Sequence, residues 1–446
     1  MSAPSPRRRA ARVREGARED GDGPTEAQQG SGRPPFRHLQ PVVGVAAAYA
    51  LAALLWAIVG DPLPGGRWLA VHLFTLGTIT NLIVVMTDHF SRTITRVPGD
   101  ERRGWRVLTL NVGVLLVVLG LPNGWTIAFA LGATVATVAV MWLYVALRRM
   151  RRRALGPRFG YVVRAYERAC GAFLHGAILG ALLGIGVLPG DWYGGVRLAH
   201  LAANVLGWAG LVLLATVVFF GPTLMRTRIA PHAERLAVPA LRHGATALTV
   251  SVVGLVLLGA PGIVGGIGRG VAVLGLAGYA AATVAVCGPV LQVARRAVRS
   301  PQAAMIAAAC TWFPIAVVLG TAAVAVGHAP VIDAIGLLLL AGVLGQAIVA
   351  TVTYLLPMVT GPGPGARSAQ RATLDTWARS RVAAFNAGVA ALTAAVALRG
   401  TALGAGWLAP AGWALLGGAL AVTLLVAVTA IVRGRLAATT APQRAT

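Results

Sequence analysis

The stretch AVHLFTLGTITNLIVVMTDHF, residues 70–90, follows Arg67 and meets its first formal charge at Asp88. The twenty residues between those two charges make a helix of about 30 Å at about 1.5 Å per residue, the thickness of a bilayer hydrocarbon core. The stretch therefore reads as a transmembrane helix.

Segments of the same kind recur on both sides of it, near 41–60, 68–91, 106–122, 125–147, 163–188, 197–225, 240–260, 270–294, 302–326, 332–359, 381–399 and 408–432. The expected fold is an all-α, polytopic membrane bundle of about 12 transmembrane helices. Composition agrees: 57% of the 446 residues are hydrophobic, 12% are charged, and the mean hydropathy is +0.72. A soluble domain of this size has too much exterior to be built from so few polar residues.

Charge placement gives the direction of threading. All 39 basic residues are arginine, and the net charge is +25. They do not form the basic face of a nucleic-acid-binding domain, because they sit in short runs between apolar segments. With the N-terminus inside, 35 fall on the cytoplasmic side, and only Arg67, Arg197, Arg269 and Arg399 fall outside. Cytoplasmic loops carry the positive excess, so both termini are expected in the cytoplasm and the protein in the plasma membrane. An odd helix count would scramble this alternation.

Three regions follow. Residues 1–38 read as a disordered, Arg-rich cytoplasmic tail, retained because no apolar signal-peptide core follows its arginines. Residues 39–433 form the twelve-helix domain, and residues 434–446 a second cytoplasmic tail. The outer loops, such as DPLPGG and LPGDWYGG, are too short to hold a catalytic domain. Cys170, Cys287 and Cys310 all lie within apolar segments without CxxC spacing and read as small core residues.

A faint repeat runs through the chain. The second, sixth and tenth segments are long and carry Leu76-Gly77, Leu206-Gly207 and Leu344-Gly345, which are 130 and then 138 residues apart. Three four-helix pseudo-repeats would give this pattern. Gly176, Gly180 and Gly184 form a small-residue stripe suited to close helix contact.

Ionisable groups in transmembrane helices are costly and tend to face an interior site. His72 and His200 occupy the same outer depth of the second and sixth segments, and Asn204 shares a face with His200 at i,i+4. Two readings stand side by side: a pair of ligands for a metal or haem, or interior histidines hydrogen-bonded across helices. His175 lies midway along the fifth segment. Asp88 and His89 read as an inner interfacial group, and Glu167 as the partner of Arg164 or Arg168. Pro222, Pro314 and Pro357 interrupt the sixth, ninth and tenth segments.

The segments HLFTLGTITNLIVVMTDHF, AHLAANVLGWAGLVLLATVVFFGPTLMRTRI and TYLLPMVTGPGP resemble actinobacterial membrane proteins commonly labelled copper oxidase or nitrite-reductase-like. That group is in turn similar to haem-copper oxidase subunit I and to NnrS-like twelve-helix proteins. The resemblance covers about residues 41–433. It implies that His72 matches the second-helix haem ligand and His200 the sixth-helix copper ligand. It also implies a membrane protein that is redox-associated or handles haem or copper, with a separate cupredoxin or redox subunit as the partner to expect. The tenth segment has no histidine, the seventh has only His243, and no His-His pair exists, so the oxidase ligand set is incomplete. Many relatives with the copper-oxidase label carry a cupredoxin-type domain with His and Cys copper ligands, and none is read up to Thr446. No complete catalytic constellation is present, so the expectation leans away from an enzyme. A non-catalytic membrane anchor or assembly partner and a small-solute transporter are the alternatives.

Overall fold

A computed structural model describes residues 39–439, apart from residues 61, 99, 100, 157, 299, 400 and 402–404. The expected tail over 1–38, and the end of the expected 434–446 tail, lie outside the described residues. Among the described residues there is no strand, and twelve helices are long and apolar enough to cross a membrane. They are α1 (Gln40–Val59), α2 (Gly66–Thr95), α3 (Arg103–Gly120), α4 (Thr126–Arg153), α5 (Gly160–Ile185), α6 (Gly190–Leu224), α7 (Ala233–Leu257), α8 (Gly262–Ala294), α9 (Pro301–Val326), α10 (Ala329–Thr360), α11 (Ala378–Ala397) and α12 (Leu408–Ala437). The protein is an all-α polytopic membrane bundle. Helicity in the last element continues to Thr439, beyond the expected end of the domain at 433.

Lipid contact is visible in the surface pattern. On α3 the exposed residues Leu108, Val112, Leu115 and Leu119 follow i, i+4, i+7, i+11, so one whole stripe of the helix is apolar and uncovered. In water such a stripe would drive aggregation; in a bilayer it is the ordinary outer face.

Two features make the repeat structural. First, α2, α6 and α10 each contain a π-helical stretch, at Leu73–Ile79, Ala202–Gly210 and Leu338–Gly345. The widened turn frees backbone carbonyls, which need other donors inside a membrane. Asn81 Nδ2 donates to the Gly77 carbonyl at 2.7 Å, Tyr279 OH of α8 to that of Leu206 at 2.7 Å, and Gln346 Nε2 to that of Gly342 at 2.8 Å. Second, α3 packs extensively on α4, α7 on α8, and α11 on α12. Each pair closes over a glycine: a Cβ on Gly113, Gly254 or Gly388 would collide with the backbone at Ala136, Ala272 or Leu416. The third and fourth helices of each unit thus form a tight hairpin, and the second carries the wide turn towards the centre.

The centre is also tied by polar bonds. Trp208 Nε1 of α6 donates to Thr80 Oγ1 of α2 at 3.2 Å. Asn81 and Asn111 exchange side-chain amide bonds at 3.1 and 2.9 Å between α2 and α3, and Gln346 and Asn386 do so at 3.1 Å each between α10 and α11.

One helix was not expected. Pro364–Leu374, in the connection read as a loop, is a surface helix lying against α12. It buries Ala366, Gln370, Thr373 and Leu374, and Arg381 Nη2 donates to the Leu374 carbonyl at 2.6 Å.

Candidate functional site

His72 and His200 reach one another because α2 and α6 meet along their wide turns. His72 is the last residue before the π stretch of α2, and His200 lies two residues before that of α6. Their rings have centroids 6.3 Å apart and planes 21° apart. Trp68, one helical turn before His72, stacks on the His72 ring with centroids 4.1 Å apart.

Each ring is anchored by Nδ1. His72 Nδ1 lies 2.8 Å from the Trp68 carbonyl, and His200 Nδ1 lies 2.8 Å from the Gly176 carbonyl of α5. A carbonyl only accepts, so in the neutral ring Nδ1 carries the proton and Nε2 keeps a bare lone pair. This is how metal-binding histidines are commonly oriented. Asn204 Nδ2 also lies 3.3 Å from His200 Nδ1, but two donors cannot share that contact. The Asn204 amide is instead satisfied by the His200 carbonyl at 3.0 Å.

The glycine stripe of α5 makes the space. A Cβ on Gly180 would lie 2.6 Å from His200 Cε1, and one on Gly176 would strike the Asn204 side-chain amide. The stripe fits α5 to these particular side chains, which its composition alone did not show.

Both histidines and Asn204 line a cavity of about 1800 Å³, walled by α1, α2, α6, α10, α11 and α12 with an arm towards α4 and α5. Across it, α10 presents Leu340, Ala341 and Leu344, with Asp333 of the same helix paired to Arg197. Among the described residues no group of three or more His, Cys, Asp or Glu could hold a metal. A metal here would have two protein donors. The ring centroids are 6.3 Å apart with nearly parallel planes, and the two Nε2 lone pairs are what the pair would offer an ion.

Several other polar residues lie differently from expectation. Asp88 is not at a wetted boundary: it is 4% exposed and held by Arg92 at 2.6 Å and by Arg106, itself 1% exposed, at 2.8 Å. Glu167 pairs with neither Arg164 nor Arg168 but with Arg151 of α4, through two bonds of 2.7 and 3.1 Å. The neighbouring helix end offers a guanidinium fork that one-turn neighbours cannot match. His175 is exposed on the outside of α5, away from the cavity, and His243 is exposed on α7. Cys170, Cys287 and Cys310 are free and buried, and Cys287 of α8 lies against Cys310 of α9.

The chain matches no protein-family model and no curated protein, so the histidine pair and its cavity carry the functional reading on their own chemistry.

Proposed function

We propose that this membrane protein is redox-associated and handles copper or haem through His72 and His200, on an oxidase-like twelve-helix scaffold without the full oxidase ligand set. The observation that carries the reading is the pair itself. Two imidazoles from helices 128 residues apart converge on one cavity, each with Nδ1 spent on a backbone carbonyl and Nε2 left as a donor. Soft-to-borderline metals and haem iron accept such nitrogens, and a bound redox metal would supply one-electron chemistry. The residues fit a two-donor site; three-donor catalytic centres need more than α10 offers. The reading is therefore of metal handling or electron relay rather than oxygen reduction, with a separate cupredoxin or redox subunit as the natural partner. The arginine distribution supports a plasma-membrane location with both termini cytoplasmic.

The test is the ultraviolet-visible spectrum and metal content of the detergent-purified protein. A Soret band or stoichiometric copper, lost in His72→Ala and in His200→Ala, is expected. A colourless, metal-free protein that takes up neither copper nor haem on titration would end this reading and leave the membrane anchor. The cavity favours a second alternative, small-solute transport, which uptake into proteoliposomes would reveal.

A further inference from the structure

The cavity has properties that the histidine pair does not explain. At about 1800 Å³ it exceeds the roughly 300–1,000 Å³ of ordinary small-molecule pockets. Most of its wall is alanine, leucine and valine, including Ala50 and Leu54 of α1 opposite Leu416 and Leu420 of α12. Leu51 of α1 and Leu424 of α12 both line it and are 54% and 61% exposed, so no protein side chain covers the wall at either helix. Helix α1 packs chiefly on α2, while α12 packs on α11 and the surface helix.

One end of this apolar space is cationic. Only Arg67, Arg197, Arg269 and Arg399 lie at the arginine-poor end of the bundle, and three of these four line the cavity. Asp333 of α10 faces Arg197 at 3.4 Å, and among the described residues no carboxylate pairs with Arg67 or Arg399. An apolar chamber with guanidinium groups at one end matches a molecule with a long apolar body and an anionic head.

We infer that the chamber between α1, α2, α6, α10, α11 and α12 binds an anionic amphiphile, admitted from the bilayer between α1 and α12, with its carboxylate or phosphate head among Arg67, Arg197 and Arg399. Its head site neighbours the histidine pair in the same chamber, Arg197 lying three residues before His200 and Arg67 five before His72, but it requires no metal there.

The test uses the full-length protein in detergent and a fluorescent fatty acid, with lauric acid, phosphatidylglycerol, phosphatidylcholine and inorganic phosphate as competitors. The protein should prefer anionic heads over the zwitterionic lipid by roughly tenfold. Replacing the three exposed arginines (Arg67→Gln, Arg197→Gln, Arg399→Gln) should abolish that preference without unfolding the protein, and Ala50→Trp should weaken binding of every amphiphile. In His175→Ala, on the outside of α5, the preference should be unchanged, and because the readout is lipid binding by metal-free protein, its failure is distinguishable from failure of the metal reading. Equal binding of all lipid heads by the wild-type protein would mean ordinary lipid solvation and overturn the proposal. Displacement of the probe by inorganic phosphate as effectively as by lauric acid would mean a soluble anion site and overturn it equally.

Discussion

At the residue scale, one methyl group can interrogate the histidine pair. Gly180→Ala would place a Cβ 2.6 Å from His200 Cε1 and force that ring to move, whereas Gly171→Ala on the same helix meets nothing within 4 Å. If His200 is a ligand, Gly180→Ala should lower copper or haem occupancy several-fold and Gly171→Ala should leave it unchanged, as read by spectrum and metal content. The buried Asp88 offers a stability prediction. Asp88→Asn removes the negative charge between Arg92 and Arg106 and strands a buried guanidinium, a loss of about 3–5 kcal/mol for breaking a buried pair. Thermal unfolding in detergent should show it, with partial recovery in Asp88→Leu/Arg106→Met. The sequence pointed to His72, His200 and Asn204 because polar groups stand out against an apolar background. It misplaced Glu167 and Asp88 because their partners, Arg151 and Arg106, lie across helix contacts that local spacing does not encode.

At the element scale, the membrane spans were readable because a bilayer demands about 20 apolar residues whatever their order. What the helices do inside those spans was not. A π turn differs from an α turn only in which carbonyl each N–H reaches, and nothing in the composition of Ala202–Gly210 announces it. The surface helix Pro364–Leu374 escaped notice because eleven residues with Arg367 and Arg371 look like a connection. Two predictions belong here. Asn386→Leu removes the amide exchange with Gln346 and the acceptor of Trp312 Nε1, and should cost roughly 0.6–1.7 kcal/mol per lost interhelical bond, measured by unfolding in mixed micelles. Gly254→Val should wedge α7 from α8 and lower the yield of folded protein far more than Gly288→Val, where a Cβ meets nothing within 4 Å.

At the scale of the whole molecule, the threefold recurrence of a wide-turned helix and a glycine-closed hairpin was foreshadowed by only three Leu-Gly pairs. The rest of the repeat lies in backbone geometry, which side-chain identity records poorly. Threading is open to direct measurement, since the three native cysteines are buried. A membrane-impermeant thiol reagent applied to intact cells should label Arg67→Cys or Arg399→Cys and spare Arg153→Cys; the reverse pattern would invert the proposed topology. One bond bears on how the molecule comes into being. Gln40, the first residue of α1, donates to the carbonyl of Val359 near the end of α10, 319 residues later, at 2.7 Å. A ribosome delivers α1 to the bilayer long before α10 exists, so the first helix packs on α2 first and gains this clasp only when the final third of the chain arrives. The chamber, walled in part by α10, α11 and α12, is consequently the last part of the protein to acquire its walls, and until then its apolar lining is shielded by lipid alone.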